Sequence, residues 1–232
     1  MNISIYELLE IYHIESEKLF VVKQRNYFNP EIPKLKEREL NNHRKLSHPF
    51  IPKFYGVLKR DNSLVLEFIN GQTLLDIKQL HLSEKEKIVI ILELILAIAY
   101  THNNDYIYRD LKPNNVMIDE NKQVVLIDFD RMIDIHYNSD DLTRDFASYY
   151  IAPEIENGEI SDKSDIYSLG KMIYYIINET DLRDGEIIRK NDFIFYSDLL
   201  SIINECLDLY PKKRPSANKL FLSVLSQYIE IL

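Results

Sequence analysis

The sequence has few residues that fix a chain covalently or loosen its backbone: one cysteine, no tryptophan and five glycines among 232 residues. A single cysteine, Cys206, excludes an intrachain disulfide, and its apolar helical surroundings predict a buried thiol suited to a reducing cytoplasm. No glycine precedes Gly56. Every turn before that position is therefore made by residues that carry a Cβ atom.

Long apolar runs and an excess of basic charge are also missing. The most apolar segment, residues 88–99, contains Glu93 and is too short to span a bilayer. Glu7 and Glu10 interrupt any signal-peptide core near the N terminus, which leaves other secretion routes open, including delivery into a host cytoplasm. The net charge of -9, from 37 acidic and 28 basic residues, disfavours nonspecific binding to nucleic acid. We expect a cytoplasmic protein with no membrane span and no nucleic-acid partner.

The hydrophobic pattern changes character near Asn70 and Gly71. Before this point the chain reads as strands around one helix, over residues 3–6, 19–22, 54–57 and 64–68 for the strands and 33–46 for the helix. After it the pattern is mainly helical, over residues 88–99, 163–177, 196–209 and 217–231, with strands only at 116–118 and 124–127. Ser83 and Glu86 form a predicted capping box before the first of these helices. The sequence predicts an α+β fold with a lobe over 1–70 and a second lobe over 71–232, joined as one domain.

The most informative residues lie in Tyr108-Arg109-Asp110-Leu111-Lys112-Pro113-Asn114-Asn115, which is followed by Leu126-Ile127-Asp128-Phe129-Asp130 after a short apolar hairpin. Two carboxylates, a lysine and an amide at one mouth are the groups that phosphoryl transfer requires. Each element alone is also typical of a surface turn or a strand end. Their combination and spacing favour the catalytic interpretation.

This string resembles the catalytic loop and metal-binding turn of protein kinases. The resemblance implies a two-lobed kinase-like fold that binds ATP with Mg²⁺ or Mn²⁺. It implies that Asp110 orients the accepting hydroxyl and takes its proton, and that Lys112 stabilises the transferred phosphoryl group. Asn115 and Asp128 would hold the metal. Lysine two residues after the base is typical of serine/threonine kinases.

The first half carries further matches to the family. Lys23 resembles the lysine that anchors the ATP phosphates, and Glu39 resembles the helix glutamate that fixes it, with Glu37 as a competing partner. Leu66 would control access behind the nucleotide pocket. The residues that would surround adenine are Val21, Glu67, Ile69 and Met117.

The second half carries the matches that favour a protein substrate. Glu154 of an Ala-Pro-Glu string would pair with Arg214, and Asp165 would hold the backbone at Tyr108 and Arg109. Thr143 is a candidate phosphorylation site, with Arg109 as the receiving charge. Small-molecule kinase relatives generally lack this set.

Four departures from the family pattern stand beside these matches. The glycine-rich lid over the phosphates is missing, and a partner or a second copy of the chain could replace it. Phe146 and Ala147 replace a small residue and a threonine near the acceptor site. His43 replaces an apolar residue behind the catalytic site, where we expect a packed neutral ring rather than a pH-sensitive one. Asp130 replaces a glycine; we expect it to restrict the metal turn and to raise a neighbour's pKa or strengthen metal binding from outside the first coordination shell.

Two alternatives remain open at this point. The missing lid suits a pseudokinase that binds a nucleotide or partners and transfers nothing. The string from Ile127 to Arg131 also resembles the metal turn of bacterial kinases that phosphorylate lipopolysaccharide sugars, which suits a sugar or small-molecule acceptor.

Overall fold

The computed structural model describes residues 6–13, 18–25, 32–60, 62–136, 148–183, 185–186, 188 and 197–229. Its first sheet contains β1 (Tyr6–His13), β2 (Lys18–Arg25), β3 (Phe54–Val57) and β4 (Leu64–Glu67), in the order β1-β2-β4-β3. All neighbouring strands in this sheet are antiparallel. Helix α1 (Ile32–Lys45) lies between β2 and β3 in the chain.

The prediction for the first strand was wrong in its bounds. Residues 3–5 lie outside the described residues, and the segment expected to be a polar turn is largely strand, since β1 runs from Tyr6 to His13. Its residues pair continuously with β2, from Tyr6 opposite Arg25 to His13 opposite Lys18. Glu7 and Glu10 interrupt the apolar alternation expected of a strand, but the pairing of β1 with β2 is made by backbone groups, which leave no such pattern in the sequence.

The second half contains α2 (Glu84–Asn103), α3 (Asp162–Asn178), α4 (Ser197–Cys206) and α5 (Ala217–Tyr228), which confirms the predicted helices with small changes of bounds. Both hydrogen bonds of the Ser83 and Glu86 capping box form at the start of α2. The buried face of α3 comes so close to α4 that a Cβ atom added to Gly170 would lie 2.7 Å from the Cβ atom of Cys206. Cys206 is fully buried, as expected, and burial raises the pKa of its thiol to about 12.

Short strands carry the central loops of the second half. Strand β5 (Gly71–Thr73) pairs with β7 (Val116–Asp119), which pairs with β8 (Val124–Leu126), while β6 (Tyr106–Ile107) pairs with β9 (Ile133–Asp134). Short 3₁₀ helices cover Leu74–Leu80, Pro113–Asn115, Pro153–Asn157 and Pro211–Lys213, and the first of these has a kink at Asp76. The α+β class is confirmed. Within the described ranges, no helix has the length and apolar character needed to cross a membrane.

Backbone contacts join the segments next to the first sheet to the short strands of the second half. The amide of Leu126 donates to the carbonyl oxygen of Phe50 at 2.8 Å. Gly71 lies opposite Asp119, and a Cβ atom at Gly71 would stand 2.2 Å from the carbonyl oxygen of Ile118. Only glycine allows this approach, so β5 fixes the chain against the hairpin that carries the central motif.

Candidate active site

A cavity of about 630 Å³ lies between the first sheet and the β7–β8 hairpin. Its lining includes the four residues expected around adenine, Val21, Glu67, Ile69 and Met117, and also Leu66, which is expected behind the nucleotide pocket. Val21 lies opposite Leu66 in the β2–β4 register, so both residues belong to one end of the cavity. Polar side chains line the other part, among them Lys23, Glu39, Asn115 and Asp128. The cavity therefore has an apolar slot beside a charged region, which suits an aromatic base attached to phosphates.

Lys23 connects the two halves of the chain at the charged end. Its Nζ atom lies 2.7 Å from Glu39 Oε1 and 2.7 Å from Asp128 Oδ1. The side chains of Lys23 and Glu39 are 8% and 1% exposed, so the ammonium is held in a fixed place. Glu37, the competing partner, is exposed on α1. The structure thus brings Lys23 together with Glu39 rather than with Glu37.

The metal turn has an unusual backbone that the surrounding residues hold. Asp128 has a φ of 65°, and its side chain remains 31% exposed. Although burial acts to raise the pKa of Asp128, the charge and hydrogen bond of Lys23 outweigh it, so the pKa is lowered. Asp128 is therefore ionised and faces the cavity, as a cation ligand requires.

His43 and Phe129 pack behind this turn. Phe129 is buried, and the His43 ring lies edge-on to it, with ring centroids 5.1 Å apart, and stacks on Phe54 at 6.1 Å. Burial and the nearby charge of Lys23 lower the pKa of His43 to about 4. The imidazole is thus neutral at physiological pH, and the expectation of a packed ring is confirmed.

Asp130 takes the glycine position of the metal turn without a positive φ. Its side chain is buried, and Oδ1 has no hydrogen-bond partner among the described residues. Burial, followed by the charge of Asp128, raises the pKa of Asp130 to about 7. The expected rise in a neighbour's pKa does not occur at Asp128, which Lys23 keeps ionised. It occurs at the Tyr108 hydroxyl, whose pKa is raised by burial and by nearby carboxylates that include Asp130.

Asp110 lies among hydrogen-bond donors at the mouth of the site. Lys112 Nζ contacts both of its carboxylate oxygens, at 3.0 and 2.8 Å. Asn115 Nδ2 donates to the Asp110 carbonyl oxygen and to Oδ2, each at 2.8 Å. Because the nitrogen of Asn115 is engaged in this way, its amide oxygen is the atom suited to a cation.

The donor set fits a hard cation that also uses phosphate and water oxygens. No group of three or more His, Cys, Asp or Glu side chains in the described part of the chain is arranged to hold a metal ion. The Asp128 carboxylate and the Asn115 amide oxygen would supply the protein ligands. Mg²⁺ is usually bound by one or two carboxylates together with substrate phosphates, so these two residues fit it.

Asp165 supports the backbone of the catalytic loop. Its two carboxylate oxygens accept from the amides of Tyr108 and Arg109, both at 2.8 Å. His102 Nε2 lies 2.9 Å from the same carboxylate. Arg109 has a φ of 71°, a backbone state that a buried acceptor can hold in place.

The second ion pair lies deeper in the helical half. Arg214 NH1 and NH2 donate to Glu154 Oε1 and Oε2, at 2.6 and 2.8 Å. Ser164 Oγ donates to Glu154 Oε1 at 3.0 Å. Nearby, the Tyr150 hydroxyl donates to Asp181 at 2.5 Å. Thr143, Phe146 and Ala147 lie outside the described residues, so the candidate phosphorylation site has no structural account.

Sequence reasoning missed three side chains near these groups. Asn42 donates to the carbonyl oxygens of Phe129 and Met132, Arg131 Nε lies 4.0 Å from Asp110 Oδ2, and His102 contacts Asp165. Helical spacing could have identified Asn42, since it follows Glu39 by three residues on one face.

Comparison with known proteins agrees with this geometry. A probable serine/threonine-protein kinase of Dictyostelium discoideum is 31% identical over 218 residues, which are 85% of this chain and 23% of that protein. Maternal embryonic leucine zipper kinase of Xenopus tropicalis is 31% identical over 67% of this chain and 25% of its own length. Calcium-dependent protein kinase 5 of Plasmodium berghei is 30% identical over 79% of this chain and 37% of its own length.

The chain therefore spans between 23% and 37% of the length of these relatives. The protein kinase domain matches residues 7–225, a range that includes every candidate site residue described above. By this match and by its site, the chain belongs to the protein kinase family.

Proposed function

We propose that the protein binds ATP with Mg²⁺ or Mn²⁺ and transfers the γ-phosphoryl group to serine or threonine hydroxyls of a protein substrate. The observation that carries this proposal is the position of Lys23 between Glu39 and Asp128, at 2.7 Å from each. That arrangement supports a role for the Lys23 ammonium in binding phosphate and for the neighbouring Asp128 carboxylate in binding metal. Both line the same cavity as the apolar slot.

Each group of the chain has a role in this reaction. Asp110, held by Asn115, orients the accepting hydroxyl and takes its proton as the new oxygen–phosphorus bond forms. The bond from the γ-phosphorus to the ADP oxygen breaks, and the ammonium groups of Lys23 and Lys112 offset the charge on the phosphates. The metal, held by Asn115 and Asp128, supplies further charge neutralisation when bound.

The surroundings of the site support further proposals. We place the lobe boundary at residues 70 and 71, where β5 first pairs with the second half. A cytoplasmic location suits the single buried thiol. A second copy of the chain or another partner would cover the phosphates in place of the missing glycine-rich lid. Without such cover we expect weak ATP binding and slow turnover.

Two features of the sequence favour functions other than protein phosphorylation. The lack of any glycine before Gly56 suits a nucleotide-binding scaffold without transfer, and the Asp130-Arg131 pair after the metal turn suits a sugar acceptor. The buried pair of Glu154 and Arg214 supports a protein acceptor, because small-molecule kinase relatives generally lack the residues that form it.

Transfer of labelled phosphate from ATP tests the proposal. Wild-type protein and the Asp110→Asn variant are incubated with Mg²⁺ or Mn²⁺ and three acceptors: the protein itself, a generic basic protein and a glycan. We expect incorporation into protein that the substitution abolishes. Equal background incorporation in both would refute transfer to these acceptors, and incorporation into glycan alone would identify a sugar kinase.

Thermal stabilisation by Mg-ATP separates the remaining cases. We expect the wild type to be stabilised and the variants Lys23→Met and Asp128→Asn to lose this stabilisation. Stabilisation without transfer would indicate a nucleotide-binding pseudokinase. No stabilisation of the wild type would indicate a scaffold that binds no nucleotide.

A further inference from the structure

We propose that Asn42 is a positioning residue for the metal site. Its side-chain amide binds the Phe129–Met132 turn to helix α1 and so keeps the Asp128 carboxylate directed toward the cavity. The proposal rests on the proposed function to the extent that Asp128 binds a nucleotide-bound metal. It assigns to Asn42 a role that acts through another residue, without contact to the substrate.

The first support is the set of bonds that Asn42 makes. Asn42 is 4% exposed, and its Nδ2 atom donates to the carbonyl oxygens of Phe129 at 2.8 Å and Met132 at 3.0 Å. Both protons of the amide are therefore used. The two acceptors stand on either side of Asp130 and Arg131, so one side chain holds both ends of the turn.

The second support is the helix face on which Asn42 lies. Glu39, Asn42 and His43 occupy positions i, i+3 and i+4 of α1, which point to one side of a helix. Glu39 contacts Lys23, Asn42 contacts the turn backbone and His43 packs on the Phe129 ring. Helix α1 therefore holds the metal turn through an ion pair, an amide and a ring at once.

The third support is the backbone state of the turn. Asp128 has a φ of 65°, a conformation that a residue with a side chain adopts rarely and that its surroundings must maintain. The following residue, Phe129, gives its carbonyl oxygen to Asn42. That bond anchors the peptide between Phe129 and Asp130, one residue beyond Asp128. Without it the turn is free to shift, and the Asp128 carboxylate loses its fixed direction toward the cavity.

The chain offers a matched control beside Asn42. Asn41 is the neighbouring asparagine on the same helix, and it is exposed. Asn42→Leu keeps a similar volume and removes both N–H donors. Asn42→Asp keeps the shape, but it replaces the donor nitrogen by an oxygen atom and adds a negative charge. Asn41→Leu makes the same chemical change on the surface.

Nucleotide binding by the whole protein is measured by calorimetry at increasing Mg²⁺ concentration. We expect Asn42→Leu and Asn42→Asp to need at least about tenfold more Mg²⁺ for half-maximal ATP binding, equivalent to about 1.4 kcal/mol. Affinity for ATP in EDTA should change less than about twofold, because Lys23 and the apolar slot remain. Asn41→Leu should match the wild type in both measurements.

A purely structural role gives a different result. If the Asn42 variants melt at a lower temperature but keep the wild-type Mg²⁺ midpoint, the proposal is overturned. Should Asn42→Leu fail to fold, Asn42→Ser, which retains one donor, is measured instead and should show an intermediate midpoint. Wild-type protein that binds Mg-ATP but transfers no phosphate would refute the proposed function and leave this inference standing. Absence of Mg²⁺-dependent binding in the wild type would overturn both.

Discussion

Replacing Glu154 by glutamine removes one charge from a buried pair and leaves its shape almost unchanged. The side chains of Arg214 and Glu154 are 0% and 8% exposed, so the guanidinium cannot turn to water when its partner is neutralised. An amide also presents a donor to one of the two guanidinium nitrogens that now bind the carboxylate. Breaking a buried pair in this way typically costs about 3–5 kcal/mol.

The remaining contacts of Arg214 place this variant at the lower end of that range. Its Nε atom still donates to the Asp208 carbonyl oxygen at 2.8 Å, and NH1 still donates to the Lys163 carbonyl oxygen at 2.9 Å. We therefore expect a loss of about 3 kcal/mol in the free energy of unfolding. For a domain of this size, that loss lowers Tm by roughly 6–12 °C. Differential scanning calorimetry measures it directly.

The pH dependence of the loss identifies its cause. Burial acts to raise the pKa of Glu154, but the hydrogen bonds and charge of Arg214 outweigh it, so the pKa is lowered in the folded protein. A lowered carboxyl pKa stabilises the fold above the unfolded value of 4.5 and loses this contribution as pH falls through the folded pKa. The stability gap between wild type and Glu154→Gln should therefore be full at pH 7 and shrink below about pH 4.

Arg214→Met provides the control through a double-mutant cycle. The double variant should lose clearly less stability than the sum of the two single losses, because each single change leaves a buried group unpaired. A Tm shift of less than about 2 °C in Glu154→Gln, or simple additivity in the cycle, would refute the reasoning.

Two further substitutions test other parts of the structure. In the nucleotide-free protein, Asp130→Asn should raise the free energy of unfolding at pH 8 and change it little near pH 4. The pKa of Asp130 is raised from 3.8 to about 7, so ionising this carboxyl at high pH lowers the free energy of unfolding of the wild type by at most about 4 kcal/mol. Urea unfolding at the two pH values measures the change, and Asp134→Asn, at an exposed position, serves as the control. An equal effect of Asp130→Asn at both pH values would contradict this prediction. Gly170→Ala should destabilise the protein by about 1–3 kcal/mol through overpacking, although glycine to alanine usually stabilises a helix. The added Cβ atom would meet the Cβ atom of Cys206 at 2.7 Å, so a raised urea midpoint would show that α3 and α4 separate easily.

The sequence was sufficient to predict the protein family and most helices, because residue chemistry and residue spacing indicated the same structure there. Residues 108–115 and 126–130 indicated the protein kinase family, which the domain match over residues 7–225 confirms. The helices of the second half were also predictable, since their apolar residues recur at helical spacing and Ser83 marks where the first of them begins.

Contacts between a side chain and a distant backbone were not predictable in the same way. Asn42 binds carbonyl oxygens 87 and 90 residues away, and a carbonyl oxygen has no signature in the sequence. The extent of β1 was missed because Glu7 and Glu10 hide a strand that backbone pairing maintains. The raised pKa of Asp130 comes from its burial and from the nearby charge of Asp128, which only the fold determines.

The contact between Lys23 and Asp128 also limits when the site can form during synthesis of the chain. The two residues are 105 positions apart in the chain. A ribosome adding about 5–20 residues per second needs roughly 5–20 s to make the second after the first. During that interval Lys23 can pair with Glu39 but not with Asp128, and the first sheet has no metal turn beside it. Nucleotide binding should therefore begin abruptly during synthesis, and ribosome-bound chains that stop before the metal turn should not be retained on immobilised ATP.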